Sequence, residues 1–61
     1  MTWEELKEKA KKMGYHQAVW ENCITNGRYE FYKAGSVIID CSLLAVDRTY
    51  KQMLMIMRGL E

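Results

Sequence analysis

Apolar positions recur with a helical period at both ends of the chain and alternate through the middle. In "TWEELKEKAKKMG", Trp3, Leu6, Ala10 and Met13 fall on one helical stripe. Thr2 and Glu5 stand three apart, as a capping box requires. Glu5 with Lys9, and Glu8 with Lys12, are i,i+4 pairs in the favourable order. Gly14 suits the left-handed position that ends a helix, and Tyr15 can fold back over its last turn. These features predict a helix over 3–13. Near the other end, "DRTYKQMLMIMRGL" is rich in long unbranched residues that suit a helix. Asp47 is the expected N-cap and Gly59 the stop, so a helix is predicted over 48–58. Tyr50, Met53, Leu54 and Met57 form its buried stripe. Met55 and Ile56 fall off that stripe, a surplus a monomer does not need.

The middle predicts a β region. "NG" at Asn26-Gly27 and "AG" at Ala34-Gly35 mark two turns. "RYEFYK" and "SVIID" read as strands beside them. With both turns as two-residue loops, Ile24 lies opposite Tyr29 and Phe31 opposite Ile38. Trp20 then shares their core face. The other face carries Glu21, Cys23, Arg28, Glu30, Tyr32, Val37, Ile39 and Cys41. "YHQAVWENC" fits a helix face and a strand alternation about equally, and the hairpin signal after it favours strand. The fold class expected is α+β. A two-layer αββ(β)α domain, with an antiparallel two- or three-stranded meander, packs against N- and C-terminal helices.

Sixty-one residues make a single small domain, residues 1–61. Chains this short are marginal alone and often lean on another subunit. The hydrophobic fraction is 49%, which is high for so little interior. Nine Lys and Arg face eight Asp and Glu, for a net charge of +1. Dedicated nucleic-acid binders are usually more basic. No apolar run approaches the roughly 20 residues that cross a bilayer, and the N-terminal stretch is charged rather than signal-like. The expectation is a cytoplasmic protein with reduced thiols and no membrane association.

Candidate chemistry is sparse. Cys23, Cys41 and His16 are isolated, whereas a zinc site needs about four such ligands, usually in close pairs. The expected register also sets the two cysteines too far apart for a disulfide. No catalytic, cofactor-binding or metal residue is predicted. His16, the sole histidine, reads as a residue at a helix–strand junction. Basic and aromatic residues do interleave at Lys7, Lys11, Arg28, Tyr29 and Lys33. They form the candidate contacts of an alternative function, RNA or DNA binding through the first helix and the 28–33 strand. Lysines alternating with Glu4, Glu5 and Glu8 equally describe a solvated helix. The apolar surplus weighs more. Tyr32, Val37, Ile39, Met55 and Ile56 are predicted to form a protein-interaction surface, most simply for self-association as a homodimer.

The order helix, strands, helix resembles the αβββα arrangement of double-stranded-RNA-binding domains and HicA-type toxins. The toxins depend on a histidine beside a glycine and a serine in their strand region. This chain has no such run, and His16 follows the first helix, so their activity is not carried over. The RNA-binding domains carry a basic cluster at their second helix, where this chain has only Arg48, Lys51 and Arg58. "DRTYKQMLMIMRGL", through Arg48, Thr49, Gln52 and Met53, is similar to the C-terminal ends of small uncharacterised bacterial prophage and mobile-element proteins. That resemblance covers about a quarter of the chain. It implies a bacterial or phage origin.

Overall fold

The first turn of the chain is fixed by its own side chains. Thr2 Oγ1 accepts from the Glu5 amide at 3.1 Å, and Glu5 Oε1 accepts from the Thr2 amide at 3.0 Å. This capping box opens helix α1, Trp3–Lys11. Gly14, at φ +92°, ends the turn that follows. The Gly14 amide bonds Lys11 O, and the Tyr15 amide reaches back to Ala10 O. That is a Schellman closure, and it drops Tyr15 into the core at 5% exposure.

The computed structural model describes residues 1–20 and 22–59. After α1 come five strands and a second helix. The strands are β1 His16–Gln17, β2 Cys23–Thr25, β3 Tyr29–Tyr32, β4 Val37–Ile39 and β5 Ser42–Ala45, and the helix is α2 Tyr50–Gly59. The strands form one antiparallel meander in chain order. The α+β class and the two flanking helices are as expected. The sheet is wider than the two or three central strands, because β1 and β5 extend it at both edges. β1 comes from the ambiguous "YHQAVWENC" and β5 from "CSLLAV", which the sequence presents as a connection.

Both helices pack on one face of the sheet. Trp3, Leu6 and Ala10 of α1 meet Met53, Leu54 and Met57 of α2 over Ile24, Phe31 and Val37, with Tyr15 at the margin. Phe31 is fully buried. It meets Tyr15 edge-on at 5.6 Å between centroids and stacks on Tyr29 at 6.3 Å. Burying a side chain of this size contributes about 1.5–3 kcal/mol. Trp3 tilts against Tyr50 at 5.6 Å and joins the helices.

Helix α2 starts two residues later than Asp47 and Arg48 suggest. Its cap is a second capping box. Thr49 Oγ1 accepts from the Gln52 amide at 3.1 Å, and Gln52 Oε1 accepts from the Thr49 amide at 2.9 Å. Asp47 instead takes a positive φ of 54° in the preceding bend.

The strand registers depart from those of two-residue loops, and the reasons lie in the loops. Between β2 and β3, Asn26 Oδ1 accepts from the Arg28 and Tyr29 amides at 3.0 and 2.8 Å. Thr25 Oγ1 accepts from the Gly27 amide and donates to Tyr29 O. These side-chain bonds widen the loop, so Ile24 opposes Phe31 rather than Tyr29. The shift is by two, so every side chain keeps its expected face. Between β3 and β4, Tyr32 N bonds Ser36 O, leaving a three-residue loop, and Gly35 N bonds Tyr32 O. Gly35 sits at φ +109°, the left-handed residue that such loops require. This shift is by one, so Phe31 opposes Val37 rather than Ile38. A one-residue slip exchanges faces. Val37 therefore enters the core, Ile39 turns to the helix side with it, and Ile38 moves to the other side.

Candidate functional site: the open sheet face and its β5 edge

The face away from the helices is built by the same alternation. Across it run His16, Thr25, Glu30, Ile38 and Leu43 in one row, each opposite the next. A second row pairs Cys23 with Tyr32. The first row is polar at β1 and apolar at β5.

Cys23 is fully buried yet outside the helix-side core. Trp20 and Tyr32 interact with its thiol on the open side, and Cys23 Sγ donates to Ile24 O at 3.7 Å. Burial pushes the Cys23 thiol up from its ordinary range. Full burial makes Cys23 a small packing group between the two sides of the sheet. Trp20 is thus not a core residue as expected. It stands 53% exposed beside Cys23 and Tyr32. Tyr32 is half-buried, and its hydroxyl donates to Glu30 Oε1 at 3.2 Å.

The β5 end differs in kind. Leu43 is 64% exposed, Leu44 52% and Val46 47%. Ile38 is half-buried beside Leu43. A register irregularity between Val37 and Ile38 leaves Leu44 as an extra residue of β5, a β-bulge. The turn before β5 holds Asp40 at φ 47° and Cys41 at φ 65°. Positive φ at both central residues is the type I′ signature, which normally selects Asn-Gly. Arg28 holds this turn: its carbonyl accepts from the Asp40 amide at 3.1 Å, and its Nε reaches both Asp40 oxygens at 3.1 and 3.3 Å.

The predicted interaction residues separate. Tyr32 lies on the open face as expected. Val37 is fully buried in the core, so it is no surface residue. Ile39 is half-buried on the helix side, opposite Tyr29. Ile56 packs against the core, while Met55 is 64% exposed on α2. Glu21 lies outside the described residues. Leu43, Leu44 and Val46 were missed. The signal for them was present in "CSLLAV", a short apolar run without charge, but it carried no turn residue to mark a strand.

The nucleic-acid candidates stand in separate places. Lys7 and Lys11 line a shallow cleft of about 280 Å3 between α1 and β1, together with Glu4, Glu8, Tyr15 and His16. Lys7 is paired with Glu4 at 3.1 Å. Arg28 is engaged with Asp40 and lies 5.8 Å from the Tyr29 ring centroid. Tyr29 packs against the core, and Lys33 lies in the turn at the far end of β3. His16 is exposed on the edge strand β1. Cys23 and Cys41 are free thiols, one buried and one exposed. Among the described residues no group of three or more His, Cys, Asp and Glu side chains is gathered to hold a metal ion. No described helix is long and apolar enough to cross a membrane.

A scan against protein-family models matches no family, and comparison with curated proteins and with solved structures likewise finds no match.

Proposed function

We propose that this protein is a small cytoplasmic interaction module that associates with itself through the β5 end of its open sheet face. One observation carries this: Leu43, Leu44 and Val46 expose about half or more of their surface within four consecutive positions. Ile38 extends that apolar surface inward. Contiguous exposed apolar surface marks protein contacts, whereas isolated exposed hydrophobes are ordinary. Size supports the same conclusion, because a chain of 61 residues gains most from burying further apolar surface against a neighbour. A second copy of the chain brings the same patch, as a two-fold interface requires. Met55, alone on the solvent side of α2, is not part of this surface.

Sedimentation equilibrium from micromolar to millimolar protein tests the proposal. The wild type is expected to associate reversibly, Leu43→Lys to remain monomeric, and Met55→Lys to behave as wild type. A wild type that stays monomeric throughout refutes self-association. Loss of association in Met55→Lys but not Leu43→Lys moves the surface to α2.

A further inference from the structure

The direction of the backbone groups in β5 specifies how two copies meet. The Tyr32 amide bonds Ser36 O, and the Asp40 amide bonds Arg28 O. Between these two fixed points the antiparallel ladder alternates. Ile38 therefore turns its N–H and C=O toward β3, opposite Glu30, and Val37 and Ile39 turn theirs toward β5. Ser42, opposite Ile39, is consequently bonded to β4. Leu43, opposite Ile38, is not. Its N–H and C=O point away from β4, and β5 is the last strand of the sheet.

We propose that two copies join by antiparallel pairing of β5 with β5 about a two-fold axis at Leu43, giving one continuous ten-stranded sheet. It rests on the self-association proposed above and adds its register. Each Leu43 donates its amide to the carbonyl of the other Leu43, the reciprocal pair of an antiparallel ladder. The open face then carries an unbroken apolar row across the seam: Ile38 and Leu43 of one copy, Leu43 and Ile38 of the other. Cross-strand apolar pairs of this kind stabilise sheets.

The occupant is a second copy rather than a charged foreign strand because of what β5 lacks. Positions 41–46, "CSLLAV", carry no charge and no proline, the two commonest guards of an exposed edge. In the Leu43-centred register Asp40 faces Val46 of the second copy instead of a like charge. Arg28 already holds its carboxylate. The bulge at Leu44 ends the regular ladder soon after the axis. The pairing is therefore short, and it closes as a dimer rather than growing, because the remaining edge, β1, is two residues long and polar.

Total chemical synthesis gives the test. Backbone N-methylation at Leu43 removes the donor of the seam without touching a bond inside the monomer. It is expected to leave the circular dichroism spectrum unchanged and to weaken association at least about tenfold, since two-fold symmetry removes the bond twice. In mixed isotope-labelled wild type, an intermolecular NOE between the two Leu43 amide protons is expected, because these residues form the reciprocal bonded pair on the axis. If Leu43→Lys abolishes association while N-methyl-Leu43 associates as wild type, the patch stands and the strand pairing is overturned. Should the N-methyl chain fail to fold, a dimer without the intermolecular NOE overturns the register on its own. A wild type that never associates removes both proposals together.

Discussion

The helix side of the sheet and its open side are made by the same strands, yet they answer to different rules. On the helix side Ile24, Phe31 and Val37 are covered by two amphipathic helices, and all three are at most 2% exposed. On the open side Thr25, Glu30, Ile38 and Leu43 grade from polar to apolar, and exposed Leu43, Leu44 and Val46 gather at the β5 end. The edges repeat the contrast. β1 is short and polar, while β5 is apolar and presents Leu43 outward. Stability resides on the first side. The opportunity for contact lies where the second side meets β5.

Four substitutions would sharpen or break that division. The largest effect is expected on the covered side: Phe31→Ala leaves a cavity in the centre of the core and should cost about 3–5 kcal/mol in urea unfolding. Leu43→Lys, measured at a concentration where the chain is monomeric, should change stability by less than about 0.5 kcal/mol. Equal losses in the two variants would erase the distinction between the faces.

A smaller loss is expected at the loop that assigns residues to faces. An alanine Cβ at Gly35 would lie 3.1 Å from Arg48 N and 3.2 Å from Arg48 O and Asp47 Cα. These are backbone atoms of the bend before α2, which is itself tied to Gly35 O by the Arg48 amide at 2.9 Å. With φ at +109° as well, Gly35→Ala should cost about 2 kcal/mol. A neutral result would show that the three-residue loop does not fix the β3–β4 register.

The smallest effect is electrostatic. The Thr2 amide, and then the Thr2 hydroxyl, hold the Glu5 carboxyl below the ordinary carboxylate range. A carboxyl depressed in the folded state contributes stability that is present above the unfolded glutamate value, about 4.3, and is lost as pH falls through the lower folded value. Acid unfolding followed from neutral pH should show this small contribution fading below that point, and Glu5→Gln, which keeps a side-chain oxygen for the Thr2 amide but does not titrate, should remove it. An identical acid profile in Glu5→Gln would mean the box is not formed in solution.

How much of this was legible in the sequence differs element by element. Both helices were, because period and capping residues are local signals. Thr49-x-x-Gln52 repeats the logic of Thr2-x-x-Glu5, yet Asp47 looked like the better cap until its positive φ placed it in a bend. The α+β class followed from the same local cues. The register did not, since it depends on loop lengths set by side-chain bonds at Asn26 and Thr25 and by Gly35. A single residue in the β3–β4 loop moved Val37 from the predicted surface into the core. Strand β5 is not legible because its turn, Asp40-Cys41, lacks the glycine that usually announces a type I′ hairpin. With β5 went the exposed leucines, the part of the candidate site that carries the proposal.

The Leu43 amide offers the most direct measurement. In the isolated chain it faces solvent, whereas the Ser42 amide beside it is bonded to β4. Residue-resolved hydrogen exchange across a dilution series separates the two. The Leu43 amide is predicted to exchange freely in dilute protein and to slow as concentration rises, with Ser42 protected throughout. Exchange at Leu43 that does not depend on concentration, over a range in which the protein associates, would contradict the pairing of β5 with its own copy.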